Sequence, residues 1–174
     1  MTWPPPMPVV AVAAVVVAAS ACDLRTRRIP NALTLGAAAV AVTLHGVFGG
    51  WSGVLFAVSG GAAGFLLFVP LYALGGMGAG DVKLLAAIGA WLGPMGAVWT
   101  GLYGAIAGGI MALIVSLARG CTKTLLGNIG TILRSWLLVG IRPVDGLTLA
   151  SSSSPRLPYA LALAAGTLVT LWMY

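Results

Sequence analysis

The chain has 174 residues, 60% of them hydrophobic and only 7% charged, with a mean hydropathy of +1.05; a soluble domain carries about 25% charged residues, so this composition excludes one and points to a bilayer. The length allows about six spans and their loops, a single membrane-embedded domain over residues 1–174, and no separate soluble domain of any size. The net charge of +6 arises from nine Lys and Arg against three Asp, and because the basic residues lie between apolar runs, topology and anionic lipid account for them and nucleic acid does not.

Residues 1–8, MTWPPPMP, are an uncharged lead-in with Trp3 as an interface anchor, and residues 9–21 form the first predicted span. Ala19-Ser20-Ala21 before Cys22 also fits a signal-peptide cleavage site. A signal peptide, however, needs positive charge ahead of its apolar core, and here Arg25, Arg27 and Arg28 follow it. That order predicts an outside N-terminus and a cytoplasmic loop over residues 23–31. In the loop, Pro30 suits the first turn of the next helix and Asn31 is a candidate cap. Residues 32–48 lead outward to a glycine-rich end with Trp51, where His45 reads as an interfacial residue. Residues 54–74 return inward, with a kink expected at Pro70.

Residues 75–93 read GGMGAGDVKLLAAIGAWLG. A loop bare of side chains (Gly75, Gly76, Gly78, Gly80) delivers Asp81 to the mouth of an apolar helix. An acid there is expensive, and glycines let another backbone come close. The following span, residues 82–92, covers roughly 17 Å against about 30 Å of hydrocarbon, so Asp81 is expected below the bilayer surface or beside a thinned bilayer. Gly93-Pro94 marks the outer turn. Residues 97–118 form a fifth span whose Gly101, Gly104, Gly108 and Gly109 suggest close helix packing.

Residues 119–156 carry Arg119, Lys123, Arg134, Arg142 and Arg156. Within them Leu125, Leu126, Ile129, Ile132, Leu133, Trp136 and Leu137 recur at helical spacing, which predicts an amphipathic helix on the inner leaflet. A crossing by residues 123–139 stays open, but it would put Arg134 at the bilayer centre at a cost of about 2.5–3.5 kcal/mol. Residues 151–154 are a serine linker, and residues 157–173 form the sixth span. All nine Lys and Arg fall in the predicted cytoplasmic loops or, for Lys83, at the inner mouth of the fourth span, a strong positive-inside pattern. The fold expected is therefore an all-α polytopic membrane protein with about six transmembrane helices and one interfacial amphipathic helix.

Asp23 and Asp81 fall at the inner ends of the first and fourth spans. If those spans are neighbours, two carboxylates about 4 Å apart repel by roughly 4 kcal/mol at an effective dielectric near 20. Such a pair would share one proton, one member taking a proton from water while the other polarises a peptide carbonyl. Gly78, Gly80 and Lys83 are the candidate substrate-binding residues. Competing readings make Asp81 a helix cap paired with Lys83, and Asp23 a partner of Arg25, Arg27 or Arg28. Asp145, in an Asp-Gly turn, is the reserve carboxylate. Cys22 and Cys121 form no C-x-x-C pair, there is no H-E-x-x-H, and no metal or organic cofactor is expected.

At these residues the sequence resembles the type IV prepilin peptidase family. The likeness rests on DLRTRRIPN at residues 23–31, on GAGDVK at residues 78–83 continuing through Gly89 to Gly93, and on RLPYA at residues 156–160 leading to Gly166. The resemblance implies a G-x-G-D aspartic endopeptidase of a plasma (inner) membrane, with Asp23 and Asp81 catalytic. It implies cleavage of a positively charged leader from a prepilin or pseudopilin, after a glycine, at the cytoplasmic face. Larger members carry a cysteine-rich insert associated with N-methylation. This chain is similar to the short form of tight-adherence (Flp-type) systems, in which methylation is not expected. Two other readings stand beside it: a presenilin-like protease of other membrane proteins, and a non-enzymatic scaffold or transporter subunit. A second copy of the chain is a candidate partner.

Overall fold

The computed structural model describes residues 7–144, 146–148 and 158–173. Their regular structure is helical throughout: α1 (Met7–Thr26), α2 (Asn31–Ala73), α3 (Ala79–Ala118), α4 (Thr122–Val139) and α5 (Tyr159–Met173). Three helices, α1, α2 and α3, are long and apolar enough to cross a membrane. Val17, Leu35, Leu66, Ile110, Leu117 and Trp172 all face outward. An outer surface this apolar is covered by hydrocarbon, so the chain is an all-helical membrane protein.

At 43 and 40 residues, α2 and α3 would each run about 60 Å or more if straight, twice the hydrocarbon thickness. Neither is straight. Gly50 (φ 59°, ψ -147°) breaks α2 and Gly93 (φ 77°, ψ 179°) breaks α3. Both backbones favour glycine. Residues eight apart in a continuous helix stand about 12 Å from each other. Here Gly53 backs directly onto the His45 carbonyl, and a Cβ on Gly89 would stand 2.9 Å from that of Ala97. Each long helix is therefore a hairpin of two arms, as the Gly93-Pro94 pair foretells. Pro70 lies inside α2, but the non-helical backbone is at Gly50.

The second arm of α2 packs antiparallel on the first arm of α3. Gly60 abuts the Gly89 carbonyl, and a Cβ on Gly64 would lie 2.5 Å from the Leu85 carbonyl oxygen. That approach buries residues 82–93 on nearly every side, with Leu84, Leu85 and Ile88 fully enclosed, as expected of a helix apolar all round. Its far end is tied to the first arm of α2. Trp91 Nε1 donates to the Ala37 carbonyl at 3.1 Å, and His45 Nε2 donates to the Trp91 carbonyl at 3.2 Å. His45 is thus a core residue, only 3% exposed and 5.2 Å from the Phe56 ring. The interfacial reading of His45 fails because the hairpin folds Phe56 and Trp91 over it.

The second arm of α3 runs antiparallel to α5, with Gly104 against Leu163 and Gly166, Gly108 against Tyr159, and Thr100 donating to Thr170 at 3.2 Å, while Gly101 meets Leu67 of α2. Gly109, read with the packing glycines, faces open space. α4 segregates its apolar and polar faces more sharply than the other helices, and Leu126, Leu133 and Leu137 on it are exposed. Trp3, Asp145, the serine linker and Arg156 lie outside the described residues.

Gly60→Ala and Gly89→Ala should each cost about 1–3 kcal/mol by forcing the two backbones apart. Gly61→Ala, whose Cβ would meet its nearest neighbour at 3.5 Å, should stay within about 0.5 kcal/mol of the wild type. Thermal unfolding in detergent distinguishes the three.

Candidate active site

α1 does not end before Asp23 but carries it in its final turns. Its C-terminus closes on Arg27, a left-handed residue (φ 54°) whose N–H donates to the Asp23 carbonyl at 3.0 Å. Thr26 Oγ1 reinforces that turn by donating to the Cys22 carbonyl at 2.9 Å. Asp23 is buried, and Ser20 stands one turn earlier on the same face. Together they clamp one residue of α5: Ser20 Oγ donates to the Ala160 carbonyl at 3.4 Å, and the Ala160 N–H donates to Asp23 Oδ2 at 3.4 Å. Both bonds are long, but they supply a buried carboxylate with a donor.

Asp81 is held by its own helix end. Gly78 is the N-cap of α3 with extended backbone (φ -80°, ψ 145°). Asp81 is the third helical residue, and its N–H donates to the Gly78 carbonyl at 3.1 Å. In return the Gly78 N–H donates to the Asp81 carboxylate. This is half of a capping box, with the favourable charge at the positive end of the helix dipole. The bland reading of Asp81 as a helix-end acid therefore has a structural basis, whereas its pairing with Lys83 does not. Lys83 Nζ donates instead to Asn31 Oδ1 at 2.9 Å. Asn31 is accordingly not a cap. Pro30 occupies the N-cap position of α2, and no side chain caps it.

The glycines now have separate reasons. Gly75 ends α2 with φ 74°, and a Cβ there would stand 2.8 Å from Thr148 Cγ2. A Cβ on Gly78 would stand 3.1 Å from Asp81 Oδ2, and one on Gly80 would stand 3.3 Å from Ile29 Cβ. The Ile-Pro-Asn turn after α1 and the Gly-x-Gly-Asp loop before α3 are thus in contact twice, through Ile29–Gly80 and Asn31–Lys83. That contact brings Asp23 and Asp81 to the same end of the bundle, where the Asp23 charge acts on the Asp81 carboxyl.

Two residues to which the sequence assigned no part in the site, Ser20 and Tyr159, also lie at this end. Ser20 was visible as a lone hydroxyl three residues before an acid in an Ala/Val run. Tyr159 opens α5 and lies within reach of the Asp81 charge. Beside the glycine loop is a recess of about 130 Å³ walled by Leu71, Leu74, Gly76, Ile132, Trp136, Arg142, Val144 and Leu147. Among the described residues no three His, Cys, Asp or Glu side chains converge as a metal site would require.

Prepilin leader peptidase/N-methyltransferases of Burkholderia pseudomallei, from strains 1026b and K96243, are each 38% identical over 112 residues, 59% of this chain. The aligned stretch spans 35% of the length of those relatives. No solved structure matches. The model of the type IV leader peptidase family matches residues 10–113, which include both aspartates, the Ile-Pro-Asn turn and the glycine loop. On that match, the chain belongs to the type IV leader peptidase family.

Proposed function

We propose that the chain is an aspartic endopeptidase that removes the leader from a type IV or Flp-type prepilin or pseudopilin, with Asp23 and Asp81 as its catalytic pair. The observation that carries the reading is that the two carboxylates lie at one end of an apolar bundle within reach of each other's charge, each accepting from a backbone N–H. One carboxylate takes a proton from water, whose oxygen attacks the scissile carbonyl carbon. The other, protonated, donates to the carbonyl oxygen and stabilises the charge that develops there. The tetrahedral intermediate collapses as the C–N bond breaks, and the leaving amine takes the proton first drawn from water. No redox or group-transfer partner enters this balance.

In this reading the two hairpins, α1 and α5 give six crossing segments, with α4 lying on the inner leaflet. All nine basic residues then lie on the side of the two aspartates, which favours an outside N-terminus and a site at the cytoplasmic face of the inner membrane. The first arm of α3, residues 79–92, is about 21 Å long, so Asp81 sits deeper than a full-length span would place it. Gly78, Gly80 and Lys83 flank the approach to the pair and are proposed to contact the substrate backbone. The apolar recess beside the glycine loop suits the first apolar residues of a pilin stem, next to the scissile bond.

A second reading keeps one specific support: each aspartate has a helix-end partner that would serve a structural role equally well. A scaffold or transporter subunit would then lose assembly rather than catalysis on substitution. A presenilin-like protease would keep the dyad but cut other membrane proteins.

Asp23→Asn and Asp81→Asn should each lower cleavage of a co-expressed prepilin by about 10³-fold or more at normal membrane levels, with Asp145→Asn still active. Normal processing by either of the first two removes that aspartate from the mechanism, and loss of the protein itself favours the scaffold. Gly78→Ala, which crowds Asp81 Oδ2 without removing a functional group, should lower cleavage about tenfold or more with membrane levels preserved. A blot of precursor and mature pilin reads all four variants.

A further inference from the structure

The first turn of α5 contacts Asp23 through the Ala160 N–H, and its Tyr159 lies within reach of the Asp81 charge. Tyr159 is half-buried and held on two sides. Its ring meets Phe68 of α2 edge-on, with centroids 6.0 Å apart and planes at 67°. Phe68 is itself 2% exposed and cannot yield. On the other side the ring fills a notch in α3: a Cβ on Gly108 would stand 2.7 Å from Tyr159 Cε2 and 3.3 Å from Cζ. A ring seated against two helices leaves its hydroxyl little freedom. That hydroxyl lies within reach of the Asp81 charge. The next peptide N–H donates to Asp23 Oδ2 at 3.4 Å.

A phenol in an apolar bundle needs a partner for its O–H. Among the described residues the Tyr159 hydroxyl has no hydrogen-bond partner, so its proton is available to an acceptor in the site. The charged or ionisable groups facing Asp81 are Asp23 from α1 and Tyr159 from α5, while Lys83 is held by Asn31 of α2. The charged acceptors at this end of the bundle are the two carboxylates. Catalytic hydrogen bonds often tighten only once substrate is bound.

We propose that Tyr159 is a positioning residue for the aspartate pair: in the substrate-loaded site its hydroxyl donates to the Asp81 carboxyl, fixing which oxygen faces the peptide. The inference rests on the dyad reading above. The competing role is that of an interfacial aromatic, ring in hydrocarbon and hydroxyl in water, which would need no particular acceptor.

The test uses the full chain in nanodiscs with a prepilin substrate, comparing wild type, Tyr159→Phe, Tyr159→Leu, Gly108→Ala and Asp81→Asn. Tyr159→Phe keeps the ring seated against Phe68 and Gly108 and removes one oxygen. The expected result is a kcat about tenfold lower, KM within about twofold, and an unchanged unfolding temperature. The limb of the kcat–pH profile set by the aspartates should move to higher pH, since a donor to the ionised carboxyl is gone. Gly108→Ala, which displaces the ring but keeps the hydroxyl, should reproduce part of the kcat loss, and Tyr159→Leu should lower the unfolding temperature as well. A wild-type kcat and pH profile in Tyr159→Phe, with Asp81→Asn inactive, overturns the inference and leaves the dyad standing. A fall in kcat with an unmoved profile also overturns it, in favour of packing. Normal cleavage by Asp81→Asn removes the dyad and this inference together.

Discussion

A carboxylate in an apolar bundle must be given donors, and here the donors are peptide N–H groups at helix starts. Asp23 takes one from Ala160 at the head of α5, and Asp81 takes one from Gly78 at the head of α3. A backbone N–H brings no counter-charge and no long flexible side chain. It stabilises a carboxyl without committing it to a salt bridge, which is what the proposed proton-sharing pair requires. The lysine nearest in sequence, Lys83, is turned to Asn31 instead. Had it paired with Asp81, the carboxylate would have been held in its ionised form.

Positioning these donors depends on helices that approach backbone to backbone. Gly60 on Gly89 and Gly64 on Leu85 bring two arms close enough to enclose residues 82–93. In lipid there is no hydrophobic force between helices, so close packing of small residues supplies the attraction. The enclosed arm is anchored by Trp91 at one end and by the Ile29–Gly80 contact at the other. Asp81 is thereby fixed relative to the α1–α2 turn.

Much of this was legible in the sequence because it is written in local chemistry. Gly93-Pro94 announces a reversal, the apolar spacing of residues 125–137 announces an amphipathic helix, and Gly101, Gly104 and Gly108 announce close packing. The two aspartates stood out because charge is rare in this chain. What stayed hidden depends on residues far apart in sequence. Ser20 and Asp23 find Ala160 across 140 and 137 positions, and no local pattern encodes that. His45 is buried because Trp91 and Phe56 fold over it, although its flanking glycines resemble a boundary. Asn31 has the composition of a cap, but the nearby Lys83 gives its amide a different use. Gly109 shares the spacing of its neighbours, but the bundle leaves that face of the helix empty.

The turn between α1 and α2 has a consequence for how the chain tolerates change in length. Asp23 is fixed at one end by the Ala160 clamp, while Ile29 and Asn31 are fixed at the other by Gly80 and Lys83. The residues between them span a set gap, and Arg27 accepts a left-handed conformation to fit it. The segment acts as a ruler rather than a loop. Its side chains are mostly exposed, but its residue count is constrained: one residue more or fewer would slide the Ile-Pro-Asn turn off its seat and change the separation of the two carboxylates. A surface loop of the same composition would ordinarily absorb such a change. Here, spacing between the two motifs constrains the chain as strongly as the motifs themselves.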